Sequence, residues 1–316
     1  MPLSFSLPFL TKSSAPRVEG WLAVAPRADR VDLAHVMPRP GGLPELVLLE
    51  SYATGGDLGG ALARLRKERR LAGYRCTALL GSGDYQILQV EAPNVPDTEL
   101  RDALRWQIKD MLAYPVEEAT LDVLEIPGQQ GSGRPRQVMA VVASNAVLAP
   151  VIRAFHQAGL NLEAIDIPDV GQRNIAALAE QDGRALAALA FDGDGGLLTI
   201  TAKGELYVSR RIDVTWQALA AATDERREQL FERIVLEVQR TLDTFDRQYS
   251  YVPMGGLLLL AVPEAETLRA ALAPNVYVPV EVMDLSAALD FPKVPELRVT
   301  ERQAQCLKLI GAALRQ

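Results

Sequence analysis

The 316-residue sequence is 48% apolar and 23% charged, a balance that allows packed globular cores, and its length fits about two domains. A formal net charge of -7 repels a phosphate backbone, so no nucleic-acid partner is expected. Two cysteines, Cys76 and Cys306, both in apolar surroundings, read as reduced core thiols. With only His35 and His156 beside them they supply no zinc set.

The start, "MPLSFSLPFLTKSSAP", lacks a positive n-region and is broken by Pro8. Residues 1–17 therefore read as a flexible tail, with Phe5, Leu7, Phe9 and Leu10 as a weak membrane-touching alternative. No run of about 18 apolar residues follows, so no membrane span is expected. "GWLAVAP" (20–26) and "RVDLAHV" (30–36) form an expected hairpin, and "PELVLLE" (44–50) a third strand. A helix follows over 55–73, stopped by Gly73. Strands at 75–80 and 85–93 flank the turn Gly81-Ser82-Gly83-Asp84. Pro96 and Asp97 then open a helix running to about Ala113, with Leu100, Leu104 and Ile108 at helical spacing. Strands at 119–127 and 136–144 enclose the flexible composition "GQQGSGR", and a helix over 145–158 stops at Gly159. A strand at 162–168 leads to a helix at 172–180.

The second half repeats the order. Strands at 184–192, 197–203 and 205–212 are followed by helices at 215–222 and about 224–250, the latter with the stripe Phe231, Ile234, Val238, Leu242, Phe245 and Tyr249. A continuous apolar strand at 256–262, a helix at 264–272 and a strand at 278–285 come next. A Thr300–Gln303 capping box opens the last helix. Three adjacent strands followed by a helix thus recur at about 20–73 and 184–222, a weak internal duplication.

The chemistry concentrates at Asp192-Gly193-Asp194-Gly195-Gly196. Glycines there can aim backbone N–H groups at a phosphate and the carboxylate can hold magnesium. The same residues also suit a plain hairpin, in which glycine supplies positive φ. "GGDLGG" (55–60) lacks a following Lys-Ser or Lys-Thr, and Asp57 opposes an anion, so it is no P-loop. In "LRWQIKDMLAYP" (104–115), Arg105, Trp106 and Lys109 lie off the main apolar stripe. They read either as core packing or as anchors for a partner.

The stretch "FDGDGGLLTITAKGELYVSRRI" (191–212) resembles the second phosphate motif of actin-like ATPases, in the form found in the PilM/MshI family of type IV pilus biogenesis proteins. "EVQRTLDTFDRQY" (237–249) resembles that family's following helix and "CLKLIGAALR" (306–315) its closing helix. Residues 90–127 resemble its inserted subdomain, in wording nearest the mannose-sensitive haemagglutinin (MSHA) pilus members. The resemblance implies an α/β, actin-like (ribonuclease H-like, duplicated) two-lobed fold. The first lobe would cover 18–181, with an inserted subdomain at about 74–143, and the second 182–316. It further implies ATP with magnesium in a cleft, at Asp192, Gly193, Gly195, Gly196 and Thr199. A cytoplasmic location peripheral to the inner membrane is implied as well. So is capture of the cytoplasmic tail of a PilN-like inner-membrane partner, with the assembly motor ATPase as a further contact. The tail would lie against Arg105, Trp106 and Lys109.

Three departures bear on activity. Ala23 and Ala25 stand where the first phosphate motif has Asp and Gly. Val262-Pro263-Glu264 stands where the adenosine region has Gly-Gly, and "IDVTW" replaces glycines after the Ser-Arg pair. Without the magnesium-orienting carboxylate, phosphoryl transfer is severely weakened. The expectation is a scaffold without catalytic residues, without a metal and without a required cofactor. An active or nucleotide-responsive ATPase is the alternative.

Overall fold

The computed structural model describes residues 17–128, 135–181 and 183–316. The expected tail, except for Arg17, and residues 129–134 of the glycine-rich loop lie outside them. The chain divides into two compact units. One holds the chain up to Met37, Leu48–Pro168 and Arg315–Gln316, and the other holds Pro38–Val47 and Asp169–Leu314.

The first unit is built on β1 (Trp21–Pro26), β2 (Arg30–Met37), β3 (Glu45–Ala53), β4 (Arg75–Leu79) and β8 (Asn161–Asp166), in the order β3-β2-β1-β4-β8. β1 pairs antiparallel with β2 and parallel with β4, and β4 pairs parallel with β8. Such a central strand is covered on both faces, which is why "WLAVA" is apolar throughout and buried throughout. α1 (Leu58–Glu68) packs on α3 (Asn145–Ala158). Asp57 caps α1 by accepting the Gly60 N–H at 2.9 Å, so the "GGDLGG" cluster serves a helix start. Cys76 is buried, and burial pushes its thiol up to about 12, so it stays protonated and inert.

Between β4 and α3 the chain makes a separate antiparallel sheet, β5 (Tyr85–Glu91), β7 (Gln137–Ser144) and β6 (Ala119–Glu125), in the order β5-β7-β6. α2 (Leu100–Ile108) lies on it, and Leu100, Leu104 and Ile108 share a core with Val90, Val138 and Val142. α2 is much shorter than the expected 96–113. It begins at Leu100, since Pro96–Glu99 form turns, and it gives way to a 3₁₀ turn at Lys109–Met111, after which Leu112 is extended.

The second unit repeats the first. β9 (Ala185–Asp192), β10 (Gly195–Ala202), β11 (Glu205–Ile212), β12 (Met254–Leu260) and β13 (Val280–Val282) lie in the order β11-β10-β9-β12-β13, with the same antiparallel-then-parallel pattern. Lys203 and Gly204, at φ 54° and 71°, form the tight turn between β10 and β11. β13 covers only three residues of the expected 278–285. α4 (Pro168–Ala177) starts earlier than expected, with Pro168 in its first turn. α5 (Trp216–Ala220) is short. α6 (Asp224–Gln248) is long, capped by Thr223 and opened by Asp224 and Glu225. Burying Phe231, Ile234, Val238, Leu242 and Phe245 contributes about 1.5–3 kcal/mol each. α7 (Ala265–Leu272) and α8 (Thr300–Ala313) complete the unit. The expected capping box does not form, because Thr300 is already helical and Gln303 Nε2 donates instead to the Leu297 carbonyl at 2.7 Å.

Candidate functional site

β9 ends and β10 begins at the Asp192–Gly196 turn. Asp192 pairs with Gly195 across the ladder, and Gly193 and Asp194 form the tip. The Asp192 Oδ1 accepts the Asp194 N–H at 2.8 Å, a local turn made by the side chain itself. Gly195 sits at φ 128°, a conformation that needs glycine. A Cβ on Gly196 would lie 2.7 Å from the Phe191 ring and 3.0 Å from Ile212 Cβ. Each glycine after the tip therefore has a structural reason in the hairpin itself.

The other oxygen of Asp192 is also engaged. Lys308, on α8, places Nζ 2.6 Å from Asp192 Oδ2, with the lysine side chain 10% exposed and the aspartate 17%. α8 can bring that lysine so near because it crosses α4 through glycines. A Cβ on Gly311 would lie 1.9 Å from the Gly171 carbonyl oxygen, and one on Gly171 would lie 2.3 Å from the Lys308 oxygen. Asn174 of α4 donates to the Gly311 carbonyl at 2.8 Å, and pins the crossing. Thr199 is fully buried in β10. Its Oγ1 accepts from Gln172 Nε2 at 3.1 Å, and the same amide reaches the Ala188 and Leu197 carbonyls at 2.9 Å each.

These residues do not fit a magnesium–nucleotide group. A hard divalent cation requires free oxygen donors. Each Asp192 oxygen already has a partner, one of them a lysine ammonium, Thr199 is sealed under Gln172, and Ala23 and Ala25 are wholly buried in β1 without a side-chain oxygen. No cluster of three His, Cys, Asp or Glu that could hold a metal occurs among the described residues. Just after β12 the backbone takes a path that glycine adopts readily. Ala261 and Glu264 have φ of 49° and 52°, a conformation that strains a non-glycine residue by about 1–3 kcal/mol.

The second group of expected residues divides. Trp106 is 67% exposed on α2, and Met111 beside the following turn is 54% exposed. Trp106 is therefore no core residue. Lys109 is also exposed. Arg105 is spent on the fold, its Nη1 donating to the Val116 carbonyl at 2.9 Å and the Ala119 carbonyl at 3.0 Å. It ties α2 to the start of β6.

Two polar centres escape sequence reading. Lys308 was hidden in the apolar run "CLKLIGAALR", although a lone lysine on a buried helix face is itself a signal for an internal anion. In the first unit, Asp166 is fully buried and receives Arg315 Nη1 at 2.6 Å and Thr77 Oγ1 at 2.8 Å. The Arg315 guanidinium also lies 5.3 Å from the Trp21 ring centroid. Nothing in the spacing of Asp166 and Arg315 announces that pair.

No protein-family profile matches the chain, and no curated protein matches it in sequence. Solved structures do resemble it. A chain of the PilM–PilN type IV pilus biogenesis complex is 21% identical with a TM-score of 0.68, covering 95% of this chain and 98% of its own. A Bacteroides thetaiotaomicron protein with an actin-like ATPase fold and unknown function is 8% identical, TM-score 0.50, covering 94% and 96%. The cytoplasmic domain of EpsL, an inner-membrane component of the Vibrio cholerae type II secretion system, is 18% identical, TM-score 0.47, covering 81% and 94%. The fold is the actin-like one, as the duplicated strand order requires.

Proposed function

We propose that the protein is a non-catalytic, actin-like scaffold of a type IV pilus assembly platform of the MSHA kind. In this reading it binds the cytoplasmic tail of a PilN-like inner-membrane protein on the cytoplasmic face of that membrane. It works without ATP hydrolysis and needs no bound nucleotide. The observation that carries the reading is the exposed Trp106 indole on α2, the helix that packs on the separately cored sheet of the first unit. Aromatic side chains left in water on a rigid element are the usual anchors of a protein interface. The resemblance of 95% of the chain to a chain of the PilM–PilN type IV pilus biogenesis complex supports the choice of partner. The occupied Asp192 carboxylate supports the absence of hydrolysis. Membrane attachment would come through the partner, since no helix among the described residues is long and apolar enough to cross a membrane.

Calorimetry with the partner's tail peptide tests this. Trp106→Ala should weaken binding by about tenfold or more, roughly 1.4 kcal/mol or above. At an exposed site it should shift folding stability by only about 0.5 kcal/mol. No binding of the peptide to the folded wild-type protein sinks the proposal. So does a saturable Mg-ATP titration that Asp192→Ala abolishes, because that result belongs to the ATPase alternative.

A further inference from the structure

The second unit carries an open groove of about 770 Å³ between α6 and α7, whose lining includes no residue of the Asp192–Gly196 turn. Its floor is Phe231, Val235 and Leu236 of α6, with Ala271 of α7 and Pro274 just beyond it. Leu236 is 45% exposed, unusual for a leucine on a helix whose neighbouring turns are buried. At one end Gln239 Nε2 closes on the Asn275 carbonyl at 2.7 Å. The wall is acidic. Glu228 and Glu232 are exposed on the rim and make no ion pair among the described residues. Arg227, the one cation of the rim among the described residues, is held by Asp224 at 2.9 Å and by the Ala222 carbonyl at 3.0 Å.

We propose that this groove docks a short, basic, amphipathic helix of a partner protein. Its apolar side would cover Leu236 and Phe231, and its lysines or arginines would face Glu228 and Glu232. The wall from Glu228 to Gln239 is about 16 Å long at 1.5 Å per residue, enough for about three helical turns. A floor with no convergent polar groups does not orient a small polar ligand, but it suits a helix that reads only an apolar stripe. Unpaired carboxylates on the rim select the sign of the flanking charge. The groove belongs to the second unit and does not depend on the Trp106 reading.

The probe is a labelled peptide of about 12 residues with leucines at i, i+3, i+4 and i+7 and lysines elsewhere, alongside a permuted version of equal composition. Fluorescence anisotropy with the full chain should give a dissociation constant on the order of tens of micromolar. The permuted peptide should bind about tenfold more weakly or worse, as should the Leu236→Asp protein and the Glu228→Lys/Glu232→Lys protein. All three sites are exposed, so these variants should fold normally. Hydrogen exchange should slow across α6 and α7. Trp106→Ala should bind the probe as wild type does, which separates this site from the tail-binding one. Equal affinity for both peptides overturns the proposal, as does protection elsewhere in the chain. A dimer of the free protein that Leu236→Asp dissociates assigns the groove to a second copy and overturns it too. Tighter probe binding after removal of residues 2–16 assigns it to the chain's own start, with the same consequence.

Discussion

At Asp192 a single ammonium decides what the turn can do. The lysine and the aspartate are both mostly withdrawn from water. Removing only one of them leaves a poorly solvated charge, which costs about 3 kcal/mol in such settings. Lys308→Met should therefore lower the denaturation midpoint strongly. The double variant Lys308→Met/Asp192→Asn should recover most of the loss, and chemical denaturation of all three proteins checks this. His35 offers a pH test. It is buried in β2, its Nε2–H donates to the Glu19 carbonyl at 2.8 Å, and its ring meets Tyr74 edge-on. Burial lowers its pKa below the usual 6.5. The unfolded chain then takes up the proton first as pH falls. The neutral-histidine contribution is full above about 6.5 and drains between 6.5 and the lowered folded value. His35→Gln should flatten the dependence of the urea midpoint on pH in that window.

At the scale of elements, the crossing of α4 and α8 is the tightest constraint. Gly311→Ala would put a methyl 1.9 Å from a backbone oxygen, and no side-chain rotation relieves that clash. Overpacking of this kind costs about 3 kcal/mol or more, so thermal unfolding of the variant should fall well below wild type. Ala312→Gly on the same buried helix should cost only about 1 kcal/mol, which separates the clash from a loss of helix propensity. The strands and the long helix were readable beforehand, because an apolar run such as "WLAVA" or the α6 stripe states its burial in its period. The start of α2 and the cap of α8 were not. Pro96 and Thr300 are good local starters, yet Leu100 begins the first helix and Gln303 is drawn to Leu297. Local turns at Pro96–Glu99 and a bond six residues back decided them. Of the candidate site, the hairpin and its glycines were legible. The partner of Asp192 was not, since it lies 116 positions away on another element.

For the whole molecule, the repeated strand order means that each unit holds its own sheet and core. Damage to one should leave the other standing. Arg315→Met would strip the cation from Asp166, which has no exposed surface at all. A carboxylate left in such a place with only the Thr77 hydroxyl costs about 3–5 kcal/mol. Hydrogen exchange should then quicken in β4 and β8 while β9 and β12 keep their wild-type protection. A uniform change across both sheets would mean that the units share one cooperative transition.

The Asp166–Arg315 pair also sets a schedule. The two residues are 149 positions apart in the chain. A ribosome adding about 5–20 residues per second delivers the arginine roughly 7–30 s after the aspartate. Throughout that interval the first sheet has its strands but not the cation for its most deeply buried charge. During synthesis the nascent first unit must wait, partly formed, for a residue that is made only after the whole of the second.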